Sequence, residues 1–170
     1  MGRIAQTVFV DRSMTLSEAA EEYEIDDLIG TIRAVRRMLR STLETLPDAA
    51  FAAQPAAEGE AAWSAGQVVA HLANAQASMS GQVRDLLGMQ ASADGRTYDM
   101  TNLPTREDAI AILDDANPGF DTFVAAIPAD ADLLKSMTHA RFGEMNGKGW
   151  MLLMALHEAD HLRQVRALAE

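Results

Sequence analysis

Four long stretches of this chain place their apolar residues at the spacing of an α-helix, and this repetition constrains the fold more than any other feature. Side chains three or four residues apart lie on one face of a helix, because one turn takes about 3.6 residues. The first stretch has seven apolar residues on one face: Ile25, Leu28, Ile32, Val35, Leu39, Leu43 and Leu46. Each stretch therefore predicts an amphipathic helix with one buried side.

Capping signals and prolines indicate where these helices begin and end. Thr15 with Glu18, and Ser64 with Gln67, have the spacing of capping boxes, in which each side chain bonds the other residue's backbone amide. Pro47 ends the first long helix, since proline cannot continue it. The second helix is expected to run from Ser64 to about residue 87.

The third and fourth helices are bounded in the same way. Thr105 caps the third, and Pro128 ends it. Pro118 lies inside its pattern and should kink or split it, because proline lacks the amide proton and clashes with the preceding turn. Residues 129–146 are predicted to be irregular, with a turn or short extended piece at Phe142-Gly143, and the last helix is expected to span about 147–169.

Four helices make an all-α four-helix bundle the economical fold. We expect one domain over residues 1–170, with an N-terminal tail at 1–14. A hydrophobic content of 48% with only 5% aromatic residues suits a bundle better than a β-sandwich. The connections between helices are long enough for a crossover connection, so simple up-and-down order is not forced.

Charge and composition exclude several classes of partner. A net charge of −11 argues against nucleic acid, which needs a concentrated basic face. No apolar run approaches the length of about 18 residues that a membrane span requires. The chain has no cysteine, which excludes disulfides and thiolate ligands and fits a reducing cytosol. We therefore expect a soluble cytoplasmic protein that binds neither nucleic acid nor a membrane.

Two histidines four residues apart, His157 and His161, lie on the apolar side of the last helix. About 100° of rotation per residue places Trp150 and Met154 within roughly 60° of His157. A buried imidazole costs free energy unless its nitrogens are bonded, and a metal ion would satisfy them. His71 lies at the edge of the apolar stripe of the second helix. Three imidazoles suit zinc, nickel, copper or ferrous iron, and leave positions open for water or a small thiol.

Several segments, in order along the chain, resemble the DinB-like superfamily. They are Trp63-Ser64, Gln67-Val-Val-Ala-His71-Leu72, Phe142-Gly143 and His157-x-x-x-His161-x-x-Gln164. The resemblance covers roughly residues 25–168. It implies a four-helix bundle that binds a divalent metal through His71, His157 and His161. The group includes metal-dependent hydrolases and thiol-dependent S-transferases, which use bacillithiol, mycothiol or glutathione, and its members are often homodimers.

Two amides are secondary candidates for contact with a cofactor. Gln164 lies one turn beyond His161, where it would bond a ligand, orient an imidazole or cap a local polar patch. Asn74 lies one turn from His71 and could face the same cavity.

Two carboxylates are candidates for catalysis. Glu158 and Asp160 flank the histidine stripe, and either could accept a proton from a bound water or thiol. A solvated helix face is the alternative for both. His139 precedes the last helix, where a surface position is expected and contact with a substrate is the alternative.

Two further surfaces carry predictions. An apolar face of the last helix lies opposite the histidines and predicts the interface of a two-fold homodimer, with cover by the N-terminal tail or a loop as the alternative. It consists of Leu152, Ala155, Leu156 and Ala159. Four arginines of the first long helix are interpreted as solvated surface, with an anionic ligand as the alternative. They are Arg33, Arg36, Arg37 and Arg40.

These observations lead to one hypothesis about function and two alternatives. The leading hypothesis is a metal-dependent enzyme in which zinc or nickel activates a low-molecular-weight thiol or water, for S-transfer to a small molecule or for its hydrolysis. The first alternative is a non-catalytic protein that binds metal and a small ligand. The second is a structural helical bundle without metal.

Overall fold

The computed structural model describes residues 2–52, 58–91, 96–101, 103 and 105–169. Within these residues there are seven α-helices and one β-hairpin. The helices are α1 Gly2–Ala5, α2 Leu16–Glu21, α3 Ile25–Thr45, α4 Ala49–Ala52, α5 Ala65–Leu87, α6 Arg106–Ala126 and α7 Gly147–Ala167. The hairpin strands are β1 Ser136–His139 and β2 Gly143–Asn146. A π-helical segment, Gln6–Val10, follows α1, and a 3-10 turn, Gly59–Ala62, precedes α5.

Helices α3, α5, α6 and α7 form the predicted all-α four-helix bundle. α3 packs against α6 and α7, and α5 packs against the same two helices. α3 and α5 are therefore diagonal to each other, as are α6 and α7, so the order is not simple up-and-down and the predicted crossover is confirmed. No helix in the described ranges combines the length and the apolar character that crossing a membrane would need.

Side-chain caps begin the helices where the sequence predicts. The capping boxes of Thr15 with Glu18 and of Ser64 with Gln67 are both formed. Thr15 begins only the short α2, and a separate start at Ile25 opens α3. Asn146, whose side chain accepts a hydrogen bond from the backbone N–H of residue 149 at 2.7 Å, caps α7 and so fixes where the last helix starts.

Two predictions about the second half of the chain need correction. Residues 129–146, expected to be irregular apart from a turn or short extended piece at Phe142-Gly143, contain a hairpin, in which Ser136 pairs with Asn146 and His139 with Gly143. Gly143 has a φ of 71°, a left-handed conformation that glycine adopts without strain. Pro118 does not split the third helix, since α6 runs through it from residue 106 to 126, and a kink at Pro118 stays a prediction.

The second apolar face of α7 is covered by the chain itself. Leu152 and Ala155 are 0% exposed and share a core cluster with Leu16 of α2, which packs on α7. Ile4 and Val8 of the N-terminal segment pack against the same cluster. The prediction of a subunit interface here is wrong, and the alternative of cover by the N-terminal tail describes this face. The homodimer itself stays a prediction, which sedimentation at micromolar concentration would test.

The interpretation of the α3 arginines as solvated surface is wrong for Arg36. Its side chain is buried and its Nε donates to both carboxylate oxygens of Glu158, at 3.1 and 3.0 Å. The guanidinium also lies 4.2 Å from the ring centroid of Phe120. Arg33 and Arg40, in contrast, are partly exposed and paired with aspartates at the surface of α6. One arginine of the four therefore belongs to the core.

Gly66, in the first turn of α5, allows the segment at Leu103 to approach the helix closely. A Cβ at this position would lie 2.3 Å from the carbonyl oxygen of Leu103. We expect Gly66→Ala to lower the free energy of unfolding by about 1–3 kcal/mol, because the backbone of the neighbour must move. Gly81 of the same helix has open space where a methyl group would be added, with no atom within 4 Å. Gly81→Ala should therefore raise the free energy of unfolding by about 0.5–1 kcal/mol. Urea denaturation measures both, and effects of the same sign would contradict this packing.

Candidate metal centre

Three histidines from two neighbouring helices meet inside the bundle. His71 of α5 and His157 of α7 approach with their Nε2 atoms 3.0 Å apart. One ring nitrogen from each of these two and from His161 all lie within 4.8 Å of one another. The ring centroid of His71 is 4.9 Å from that of His157 and 4.9 Å from that of His161. The predicted convergence of imidazoles from two helices is therefore present in the fold.

The sequence produces this convergence through spacing and helix packing. The four-residue spacing places His157 and His161 on the same side of α7, and α7 packs against α5, which carries His71. His161 is only 4% exposed, whereas the other two histidines are half-buried. The cluster is thus closed at His161 and accessible beside His71 and His157.

Gln164 fixes the orientation and the tautomer of His161. The Gln164 Nε2 donates to the backbone carbonyl of Glu60, which can only accept, so its Oε1 faces His161. That oxygen lies 2.7 Å from His161 Nδ1, which must therefore carry the proton. The lone pair of Nε2 is left free for a cation. Of the roles predicted for Gln164, orienting an imidazole agrees with this placement.

Trp63 forms an apolar wall over the histidines. Its ring centroid lies 4.7 Å from that of His71 and 6.1 Å from that of His161, and it is nearly parallel to the latter ring. The sequence analysis named Trp63 only among the segments of the family resemblance and did not predict this contact. The available signal was its place just before the cap at Ser64, two turns of helix ahead of His71. Trp63 therefore shields one side of the imidazoles from water.

The surroundings keep two of the imidazoles neutral. Burial, followed by repulsion from His161, His71 and Arg141, lowers the pKa of His157 to about 3. Burial, and then the repulsion that a protonated His161 would exert, also lower the pKa of His71, against a smaller opposing effect of Glu60. A neutral imidazole offers a lone pair to a cation, whereas a protonated one repels it. Both rings are therefore in the form that a metal requires at neutral pH.

The donor set fits a divalent transition metal. Zinc binds imidazole nitrogen at about 2.0–2.1 Å, so two ligands of one ion lie at most about 4.2 Å apart. The 3.0 Å pair lies within this limit. The limit of 4.8 Å for the whole set exceeds it by less than 1 Å, an adjustment within the range of side-chain rotation. Three imidazole nitrogens with an accessible side are typical of sites that keep one coordination position for a ligand.

The two candidate carboxylates lie away from the histidines. None of the described carboxylates belongs to the histidine cluster. Glu158 is 3% exposed and turned toward α3, where it bonds Arg36. Burial raises the pKa of Glu158, and the hydrogen bonds from Arg36 oppose the rise. Asp160 is exposed and paired with Arg163 one turn ahead. The solvated helix face, which was the alternative to a catalytic role, describes Asp160. Neither the catalytic role nor the solvated face predicted the buried ion pair of Glu158.

Asn74 and His139 have structural partners of their own. The Asn74 side chain donates to the carbonyl of Tyr98 at 2.9 Å and accepts from its N–H at 2.8 Å. Both ends of this amide therefore anchor the segment at Tyr98, which leaves the predicted contact with a cofactor without support. His139 lies in strand β1 and contacts the rings of Phe142 and Trp150.

A separate cavity of about 570 Å³ lies between α5 and α6. Gln76, Ser80 and Pro118 are among its lining residues, and none of the three histidines is. The candidate centre is therefore defined by its ligand geometry and not by the size of a cavity.

A four-helix bundle with three histidines gathered from two helices is the class of protein that the fold and the site define. A family model of the DinB superfamily matches residues 31–165, and the chain belongs to that superfamily. The crystal structure of TT2238, a four-helix bundle protein, is similar to this chain, with a TM-score of 0.63 and 26% sequence identity. The match covers 84% of this chain and 98% of that one. Among curated proteins, none matches the sequence.

Proposed function

We propose that this protein is a metal-dependent enzyme in which His71, His157 and His161 bind one divalent cation, zinc or nickel. The enzyme would act on a small molecule in the cytoplasm, by S-transfer from a low-molecular-weight thiol or by hydrolysis. The observation that carries the proposal is the approach of three imidazole nitrogens to within 4.8 Å of one another. Membership of the DinB superfamily supports it.

The chain's own residues would hold and shield the reacting groups. A divalent cation bound here supplies positive charge, which lowers the pKa of a neighbouring water or thiol. Gln164 holds the ring of His161 in one tautomer, so that its Nε2 is available without rearrangement. Trp63 covers the His71 and His161 rings on one side, which leaves the side near His157 for a small molecule.

The metal content of the purified protein tests the proposal. After supplementation with zinc or nickel and dialysis, we expect about one equivalent of metal per chain by elemental analysis. Less than about a tenth of an equivalent would overturn the proposal. Turnover is then tested by supplying the loaded protein with a panel of thiols and electrophiles, and binding without turnover would favour a protein that recognises a small ligand.

A metal-free structural bundle is the second candidate, and one observation favours it. The His71 and His157 Nε2 atoms lie at the distance of a direct hydrogen bond, 3.0 Å. In that case one ring keeps the proton on Nε2 and the pair is satisfied without a cation. A wild-type protein with no bound metal and unchanged thermal stability in the presence of zinc would favour this candidate.

Removing the hydrogen-bond acceptor at position 164 should weaken metal binding without abolishing it. We expect Gln164→Leu to lower metal affinity by about 10–100-fold, because the ring of His161 loses the partner that fixes its tautomer. Gln164→Glu keeps an acceptor of similar size and should retain most of the affinity. Competition with a chromophoric chelator measures each variant, and wild-type affinity in the leucine variant would contradict the role assigned to Gln164.

A further inference from the structure

The β-hairpin packs on the side of α7 that carries His157, about two turns before that residue. Phe142 of its turn packs edge-to-face on Trp150, with ring centroids 5.9 Å apart. Trp150 precedes His157 by seven residues, or about two turns, and so lies on the same side of α7. The hairpin therefore covers the face of α7 that leads to His157. Its turn carries one cation, Arg141.

The side chain of Arg141 is free to bind an anion. Its guanidinium lies 5.4 Å from the ring centroid of Phe142, while its backbone N–H donates to His139 Nδ1 at 3.2 Å. No carboxylate in the described ranges pairs with it, in contrast to Arg33 and Arg163, which each bond an aspartate. In a chain with 25 acidic residues, an arginine without an acidic partner is available for another ligand.

The charges at the two edges of the cluster are opposite. The guanidinium of Arg141 lies beside the ring of Phe142, which packs on Trp150, about two turns before His157 on the same side of α7. Glu60 lies at another edge of the cluster, where its backbone carbonyl accepts from Gln164, the partner of His161. An anionic group entering the site is therefore attracted at the hairpin edge and repelled at the Glu60 edge.

We propose that Arg141 binds the carboxylate of a small molecule that occupies the histidine site, and so selects carboxylate-bearing thiols or substrates. The planar guanidinium matches a carboxylate with two parallel hydrogen bonds, which a neutral analogue of the same size does not form. This inference rests on the proposed function, since it needs a ligand at the histidines.

Two thiols of similar size test the inference on cobalt-loaded protein. 3-Mercaptopropionate carries a carboxylate and 3-mercaptopropionamide a neutral amide of the same shape, and the visible spectrum of cobalt reports the binding of either thiol. We expect the wild type to bind 3-mercaptopropionate about tenfold more tightly than the neutral thiol, because the guanidinium forms charge-assisted hydrogen bonds with the carboxylate. Arg141→Ala should lose that preference. Arg141→Lys should keep part of it. Glu60→Gln should not reduce the preference for 3-mercaptopropionate. The change removes a negative charge that repels the carboxylate, and it keeps the backbone carbonyl that accepts from Gln164.

Arg37→Ala provides the matched control, since Arg37 is an exposed arginine of α3. It should retain the wild-type preference. If cobalt and both thiols bind but Arg141→Ala keeps the full preference, the inference is overturned while the proposed function stands. If the wild type takes up no cobalt, the proposed function fails and this inference fails with it.

Discussion

Replacing Glu158 by alanine is expected to lower the free energy of unfolding by about 3–5 kcal/mol. The reason is that Arg36 would remain as a buried cation without its partner, in a core where both side chains are nearly inaccessible to water. The nearby sulfur of Met154 and ring of Phe120 cannot replace a carboxylate. Urea denaturation followed by circular dichroism measures the change.

Two controls separate this loss from a general effect of removing charge. Arg33→Ala breaks the exposed pair with Asp121 and should cost less than about 1 kcal/mol, because water screens that pair. Replacing both partners together, as Arg36→Met with Glu158→Leu, should recover most of the stability, since no buried charge remains. If Glu158→Ala is no more destabilising than Arg33→Ala, the buried pair does not hold α3 and α7 together.

Replacing His157 or His161 by alanine is expected to abolish stoichiometric metal binding. Each change removes one of three nitrogens, and two imidazoles do not hold a divalent ion against dialysis in the presence of a chelator. His71→Ala should have the same effect, since this histidine supplies the ligand from the second helix. Elemental analysis of the variants, refolded or purified in parallel with the wild type, measures the outcome.

His139→Ala is the matched control for these variants. This histidine lies in β1, packed on Trp150, and is not a member of the cluster. It should leave about one equivalent of metal bound. Equal loss of metal in the His139 variant and in the other three would mean that the set of ligands is wrong.

The features predictable from the sequence are those that depend on local spacing. Helical periodicity located α3, α5, α6 and α7, and two capping boxes fixed the starts of α2 and α5. The meeting of His71 with His157 and His161 followed from imidazoles on apolar stripes, because such stripes must face one another in a bundle. These inferences needed no knowledge of which helices are neighbours.

The features that were missed depend on contacts between distant parts of the chain. Arg36 and Glu158 are 122 residues apart, and each alone has the pattern of a surface residue. The apolar face at Leu152 resembles an interface until α2 is known to cover it. The hairpin strands are short and mostly exposed, so they carry no alternation that would predict them. In each case the partner lies on another element.

The claim that His71, His157 and His161 bind one cation is tested most directly by X-ray absorption spectroscopy of the zinc-loaded protein. We expect one zinc per chain with three imidazole nitrogens at about 2.0–2.1 Å and one or more oxygen ligands from solvent. A spectrum that shows fewer than three imidazoles per zinc would contradict this claim. So would a spectrum of the His71→Ala variant that is the same as that of the wild type.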